Sequence, residues 1–135
     1  MNYLHKAGGL LIKDRKFLLE RHGGNETYIV PGGKLEAGET AIAALIRECD
    51  EEFHIAVSEK DLQYVGSFES RAVHNPDKIV KIETFLVKTW KGEITLDDGI
   101  ENVIWVDSKT IGDYSVSSIA KDNVLPLLLE MQLID

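Results

Sequence analysis

Apolar and polar positions alternate in short blocks along most of the chain, the rhythm of strands, with helical spacing taking over in two places. Residues 4–12 are apolar with two glycines, and a polar turn follows at Lys13-Asp14-Arg15-Lys16. Phe17-Leu18-Leu19-Glu20-Arg21 then has strand composition, so the opening predicts a hairpin. Glycine-rich His22-Gly23-Gly24-Asn25 breaks it. Tyr28-Ile29-Val30 predicts a short strand that runs into the sharp loop signal Pro31-Gly32-Gly33.

From residue 40 to 53 the spacing changes. Ile42, Leu45, Ile46, Cys49 and Phe53 form one apolar stripe at helical spacing, with Thr40 placed to cap its N-terminus. Residues 62–70 and 78–90 have strand composition around a loop at 71–77, and residues 103–106 are a further short strand. The apolar run from 124 to 134 predicts a second helix. Pro126 is tolerated there if Asn123 is the cap, because first-turn residues have no intrahelical N–H bond to lose. Strands interleaved with two helices predict an α/β sandwich rather than a bundle or a barrel.

Composition narrows the class. A chain of 135 residues, 44% hydrophobic, suits a single domain spanning residues 1–135. No apolar run is long enough to span a bilayer, and residues 1–6 lack the layout of a secretory signal. One cysteine, Cys49, excludes an internal disulfide and fits a cytoplasmic location. The net charge of -8 argues against a duplex nucleic-acid surface but leaves room for a small nucleotide, since a few local cations and bound metal suffice to hold phosphates.

The predicted helix also carries Arg47-Glu48-Cys49-Asp50-Glu51-Glu52, which puts Glu48, Glu51 and Glu52 at i, i+3 and i+4. Their Cβ atoms should lie about 5–6 Å apart, around a direction well away from the apolar stripe. Two unit charges roughly 6 Å apart repel by about 3 kcal/mol at an effective dielectric near 20. Arg47 relieves part of that through its i, i+4 relation to Glu51. Taken alone, the run reads first as a solvated acidic face; the competing reading is a hard divalent cation, which would relieve the repulsion further.

The loop ahead of the helix decides between these readings. Gly33, five residues, Glu39, seven residues, then Arg47-Glu48-Cys49-Asp50-Glu51-Glu52-Phe53-His54-Ile55 resembles the signature box of the Nudix hydrolase family, MutT-like members included, over residues 33–55. Six glycine, glutamate and arginine positions agree in register; chance agreement somewhere in the chain is on the order of 10⁻⁵ from average composition. Cys49 fills an apolar position, and His54 stands where the family has glycine. Glycine there ends the helix in a left-handed conformation, so altered or strained termination is expected, with His54 as a metal ligand or base a minor alternative.

The resemblance implies a Nudix-type α/β/α sandwich with a mixed sheet between helices. It implies Mg²⁺ or Mn²⁺ held by Glu48, Glu51 and Glu52, helped by the Gly33 carbonyl, with Arg47 orienting a carboxylate and Glu39 bracing the loop or reaching metal through water. Glu48 is the expected proton acceptor for the attacking water. Arg21 and Lys34 are candidates for substrate phosphates, each with an ordinary solvated cation as its alternative. Glu101 is a candidate late acidic ligand, in competition with Asp97 and Asp98. Asn123 either caps the last helix or reads a purine edge, for which an amide offers both donor and acceptor. The implied activity is hydrolysis of a nucleoside triphosphate, an oxidised purine among the options, to monophosphate and pyrophosphate. ADP-ribose or dinucleoside polyphosphate hydrolysis is the rival, and a non-catalytic nucleotide sensor the alternative class. The expected partner is a nucleotide, with neither duplex nucleic acid nor membrane, and the protein is expected to be a monomer or a homodimer.

Overall fold

The computed structural model describes residues 2–72 and 75–135. Strands β1 (Asn2–Lys13) and β2 (Lys16–His22) form the expected hairpin, joined by Asp14 and Arg15 with φ of 52° and 59°. Two successive left-handed residues make the turn whose twist suits antiparallel strands. The hairpin is short. β1 pairs with β2 only at Ile12↔Phe17 and Lys13↔Lys16, then diverges. Further back, β1 pairs with β3 (Gly32–Lys34) through Lys6, Ala7 and Gly8.

The remaining strands are β4 (Leu62–Ala72), β5 (Asn75–Val87) and β6 (Ile100–Val106). The sheet order is β4-β5-β1-β2-β6, with β1 and β5 parallel over Asn2↔Lys78 to Leu11↔Val87 and the other pairs antiparallel. Part of the expected loop at 71–77 is therefore strand, and positions 73–74 lie outside the described residues. The expected strand at 28–30 is reduced to isolated bridges, Glu20↔Ile29 and Tyr28↔Val116.

Helix α1 (Ala41–Phe53) covers one face of the sheet. Thr40 caps it as expected, its hydroxyl accepting the Ala43 N–H at 3.1 Å. Leu45 and Phe53, each 1% exposed, pack with Leu11, Leu18 and Val87; burying each contributes about 1.5–3 kcal/mol. The opposite face is covered by Ile119, Val124 and Leu128 over Leu10, Phe17 and Leu19. These two coverings make the mixed sheet the middle layer of an α/β/α sandwich.

The C-terminal covering starts earlier and ends sooner than predicted. A π-helical turn, Ile119–Val124, runs directly into α2 (Leu125–Glu130). Asn123 therefore lies inside helical backbone and does not cap it. The wide turn has a physical reason: Pro126 cannot donate to a carbonyl one α-turn back, and π-type bonding just ahead of it accommodates the missing donor. Among the described residues, no helix is long and apolar enough to cross a membrane.

Candidate active site

The site is built where α1, the loop before it and β2 converge. Two glycines make that approach possible. Gly32 has φ 146°, and a Cβ there would run into the Ala7 carbonyl oxygen of β1. A Cβ on Gly33 would occupy the space of the Glu48 carboxylate. Gly33 thus supplies clearance, and Glu48 fills it with a side chain 15% exposed.

Arg47 organises the outer part of the site. Its Nε and Nη2 donate to the two oxygens of Glu39, both at 2.9 Å, a bidentate pair across the loop. Its Nη1 donates to Glu48 at 2.7 Å and to Glu51 at 3.2 Å, and Nη2 also reaches the Lys34 carbonyl at 3.1 Å. Glu39 in turn accepts the Glu36 N–H at 2.9 Å. The Arg47 guanidinium holds the Glu39 carboxyl down at about 2, so the brace stays charged until pH falls well below the ordinary carboxylate range. These bonds tie Glu39 to both its own loop and α1.

The three helix glutamates do not share one environment. Glu51 is 57% exposed, whereas Glu52 is buried at 8%. The helical wheel explains the split. Glu52 lies only roughly 80° from the apolar stripe, against about 180° for Glu51, and β2 covers it. Facing Glu52 are Glu20, fully buried, and His22. Glu20 Oε1 accepts the Gly32 N–H at 3.2 Å. His22 Nε2 stands 3.4 Å from Glu20 Oε2 and 3.5 Å from Glu52 Oε2. Burial pushes both carboxyls above their ordinary value, and the charge of Glu20 adds to the rise at Glu52.

Cys49 sits beside this pair, 3% exposed, its thiol pushed up to about 12 by burial and by the neighbouring carboxylates. It should therefore resist a chromogenic thiol reagent at about pH 8 in the folded protein and react in denaturant. Comparable labelling rates in both states would contradict the burial.

His54 takes the left-handed conformation, φ 57° and ψ 36°, with its N–H bonded back to Asp50 and Cys49 carbonyls. Termination thus follows the path glycine would give, so it is not altered, but it is reached by a side-chain-bearing residue in the left-handed region, the strained form of the expectation. Its ring faces Asp97 at 3.5 Å. The other candidates are placed as follows. Arg21 Nη1 pairs with Glu101 at 3.1 Å, and its guanidinium lies over the Tyr28 ring. Lys34 borders an open cavity of about 560 Å³ together with Arg47, Glu48 and Glu51. A second cavity, about 360 Å³, lies on the other side of His22 and is lined mainly by apolar groups, with Asn25, Ser70, Ser117, Lys6 and Lys78 among its polar lining. Asn123 is not among its lining residues.

Glu20 and His22 were not among the sequence candidates. A signal was present for Glu20. Strand alternation puts it on the same face as Leu18, which packs under α1, so it is a carboxylate at an inward position.

The NUDIX domain family model matches residues 3–127. The chain belongs to the Nudix family. This Nudix chain is 41% identical over 102 residues to the 8-oxo-dGTP diphosphatase of Proteus vulgaris, covering 71% of this chain and 86% of that protein. It is 32% identical over 111 residues to the ADP-ribose pyrophosphatase of Methanocaldococcus jannaschii, covering 78% of this chain and 64% of that protein. Among solved structures, a MutT protein from Methanosarcina mazei Go1 superimposes with a TM-score of 0.79 and 20% identity over 96% of each chain, which establishes the Nudix fold.

Proposed function

We propose that this Nudix chain hydrolyses a nucleoside triphosphate, an oxidised purine nucleotide foremost, to the monophosphate and pyrophosphate in the cytoplasm. The observation that carries the reading is His22, which lines a cavity of about 360 Å³ and stands 3.5 Å from Glu52 of the glutamate helix, linking the cavity to the carboxylates. That volume falls within the roughly 300–1,000 Å³ usual for small-molecule pockets. The similarity to an 8-oxo-dGTP diphosphatase supports the same substrate class.

Glu48, Glu51 and Glu52 are the residues to hold a divalent ion, Mg²⁺ or Mn²⁺. The donor set suits it: hard carboxylate oxygens, with Glu52 Oε1 buried and without a hydrogen-bond partner. When bound, such an ion neutralises charge on the pyrophosphate oxygens and lowers the pKa of water. The chain's own residues do the rest. Arg47 fixes Glu48 and Glu51 in place, and Glu48, backed by Gly33, is positioned to take a proton from the attacking water. Lys6 and Lys78 offer positive charge in the cavity lining, where Asn25 presents an amide able to donate and accept at a base edge.

The test is a substrate panel with Mg²⁺ or Mn²⁺. Oxidised purine nucleoside triphosphates should give the highest kcat/KM, with pyrophosphate as product. Preference for ADP-ribose would instead select the second reading, which the Methanocaldococcus relative favours. No hydrolysis of any substrate, diadenosine polyphosphates included, would leave a nucleotide-binding module. Asn25→Ala should raise KM for the purine nucleotide about tenfold with a smaller change in kcat, the worth of a lost base-edge contact. If Asn123→Ala has that effect and Asn25→Ala does not, base reading moves to the π-helical turn.

A further inference from the structure

The inner face of the site holds a group of side chains that the helix glutamates alone do not explain. Glu20 is 0% exposed in the middle of β2, and its Oε2 has no hydrogen-bond partner. Glu52 Oε1 and His22 Nε2 are likewise buried and unpartnered. Among the described residues, no lysine or arginine forms an ion pair with Glu20 or Glu52; only His22 approaches them. An unpaired buried carboxylate costs several kcal/mol unless something neutralises it. Here two converge, and a glutamine at either position would have lowered the cost.

The distances indicate what fits between them. His22 Nε2 lies 3.4 Å from Glu20 Oε2 and 3.5 Å from Glu52 Oε2. Charge-assisted hydrogen bonds between such groups close to about 2.7–2.9 Å. Ligands sharing one ion are farther apart. With metal–nitrogen and metal–oxygen bonds of about 2.0–2.2 Å, tetrahedral geometry sets neighbouring ligand atoms roughly 3.4 Å apart. One donor atom from each of Glu20, His22 and Glu52 lies within 4.8 Å of the other two.

We propose that Glu20, His22 and Glu52 form a second transition-metal position on the inner side of α1, sharing Glu52 with the position offered by Glu48 and Glu51. Two carboxylates and a neutral imidazole balance a doubly charged ion. The imidazole favours Mn²⁺, Co²⁺ or Zn²⁺ over Mg²⁺, which prefers an all-oxygen shell. Three protein donors leave at least one coordination position free, and His22 also lines the 360 Å³ cavity, so that position is within reach of a ligand there. The inference builds on the proposed hydrolase site by adding an ion to it, yet its test needs no substrate.

Co²⁺ serves as the probe, titrated into the full chain without nucleotide and followed by visible d–d absorption and calorimetry. The expected result is a saturable site with an intense low-coordinate band. His22→Asn should weaken Co²⁺ binding at least about tenfold and alter the band. Glu20→Gln, which retains the Gly32 contact, should also weaken binding, while Glu51→Gln should leave band and affinity in place. Circular dichroism of each metal-free variant checks that it folds. An unchanged band in both His22→Asn and Glu20→Gln would overturn the site, as would absence of saturable Co²⁺ binding by the wild-type chain. Mg²⁺-dependent hydrolysis is measured separately. A Co²⁺ site without hydrolysis defeats only the catalytic reading, and hydrolysis without the Co²⁺ site defeats only this one.

Discussion

Replacing Glu52 by glutamine is expected to lower metal-dependent turnover by about 100-fold or more while making the metal-free protein more stable. The two effects have one cause. Glu52 is 8% exposed and faces Glu20, which is 0% exposed, and among the described residues His22 is the only basic side chain within ion-pair distance of either. Glutamine removes one of two buried acids and gives Glu20 Oε2 a donor. Removing an unsatisfied buried charge recovers about 1–3 kcal/mol, which for a chain of this size is roughly 3–10 °C in Tm. The same change deletes a ligand oxygen at a site where even outer-shell losses cost 10–100-fold. Calorimetry and pyrophosphate release on the same sample check both halves; loss of activity accompanied by loss of stability would contradict the account.

The pH dependence follows with a definite sign. Unfolded, Glu20 and Glu52 give up their protons near the ordinary 4.5, whereas the native site keeps protons to higher pH because burial raises both. Above pH 4.5 the native state therefore binds more protons than the unfolded chain, and stability falls as pH rises. The metal-free wild type should thus melt lower at pH 8 than at pH 5. Glu52→Gln should flatten that slope.

Arg47→Lys carries the second large effect: a fall in kcat/KM of about 10–100-fold with a higher metal concentration needed for half-maximal rate. Lysine keeps the charge and loses the fork. Arg47 holds Glu39 with two parallel bonds while also bonding Glu48, Glu51 and the Lys34 carbonyl. A single ammonium cannot reach three carboxylates and a carbonyl in those directions. The helix should persist, since Leu45, Cys49 and Phe53 anchor it independently of the arginine. Activity against Mn²⁺ concentration, together with far-ultraviolet dichroism, separates a lost brace from a lost fold. A rate equal to wild type at saturating and at limiting metal would remove Arg47 from the organising role.

Features set by local spacing were legible from the sequence. The apolar stripe of α1, its Thr40 cap, the Asp14-Arg15 turn and the register from Gly33 to Glu52 all depend on residues close in the chain. The strand order did not have that character. β1 pairs in parallel with β5, whose residues lie about 76 positions later in the register Asn2↔Lys78, and no local pattern specifies that partner. Glu20 was hidden by its company: inside Phe17-Leu18-Leu19-Glu20-Arg21 it looked like the polar end of a strand, and only the helix laid over it makes it a site residue. His22 stood in a glycine-rich break and read as turn. Asn123 failed as a cap for a different reason. Helical backbone began one turn earlier, because Ile119 and Ala120 bury against the sheet and their packing outweighs the capping preference of an amide.

The buried acids of β2 and α1 also bear on how long the protein lasts in a cell. An ion bound only by the native state, present at about 100 times its Kd, adds about 2.7 kcal/mol to stability. Without it, the repulsion between Glu20 and Glu52 is released by opening, and opened chains are what proteases degrade. Abundance would then follow metal supply: a starved cell would hold fewer copies, each of them idle, and a replete one would keep its stock.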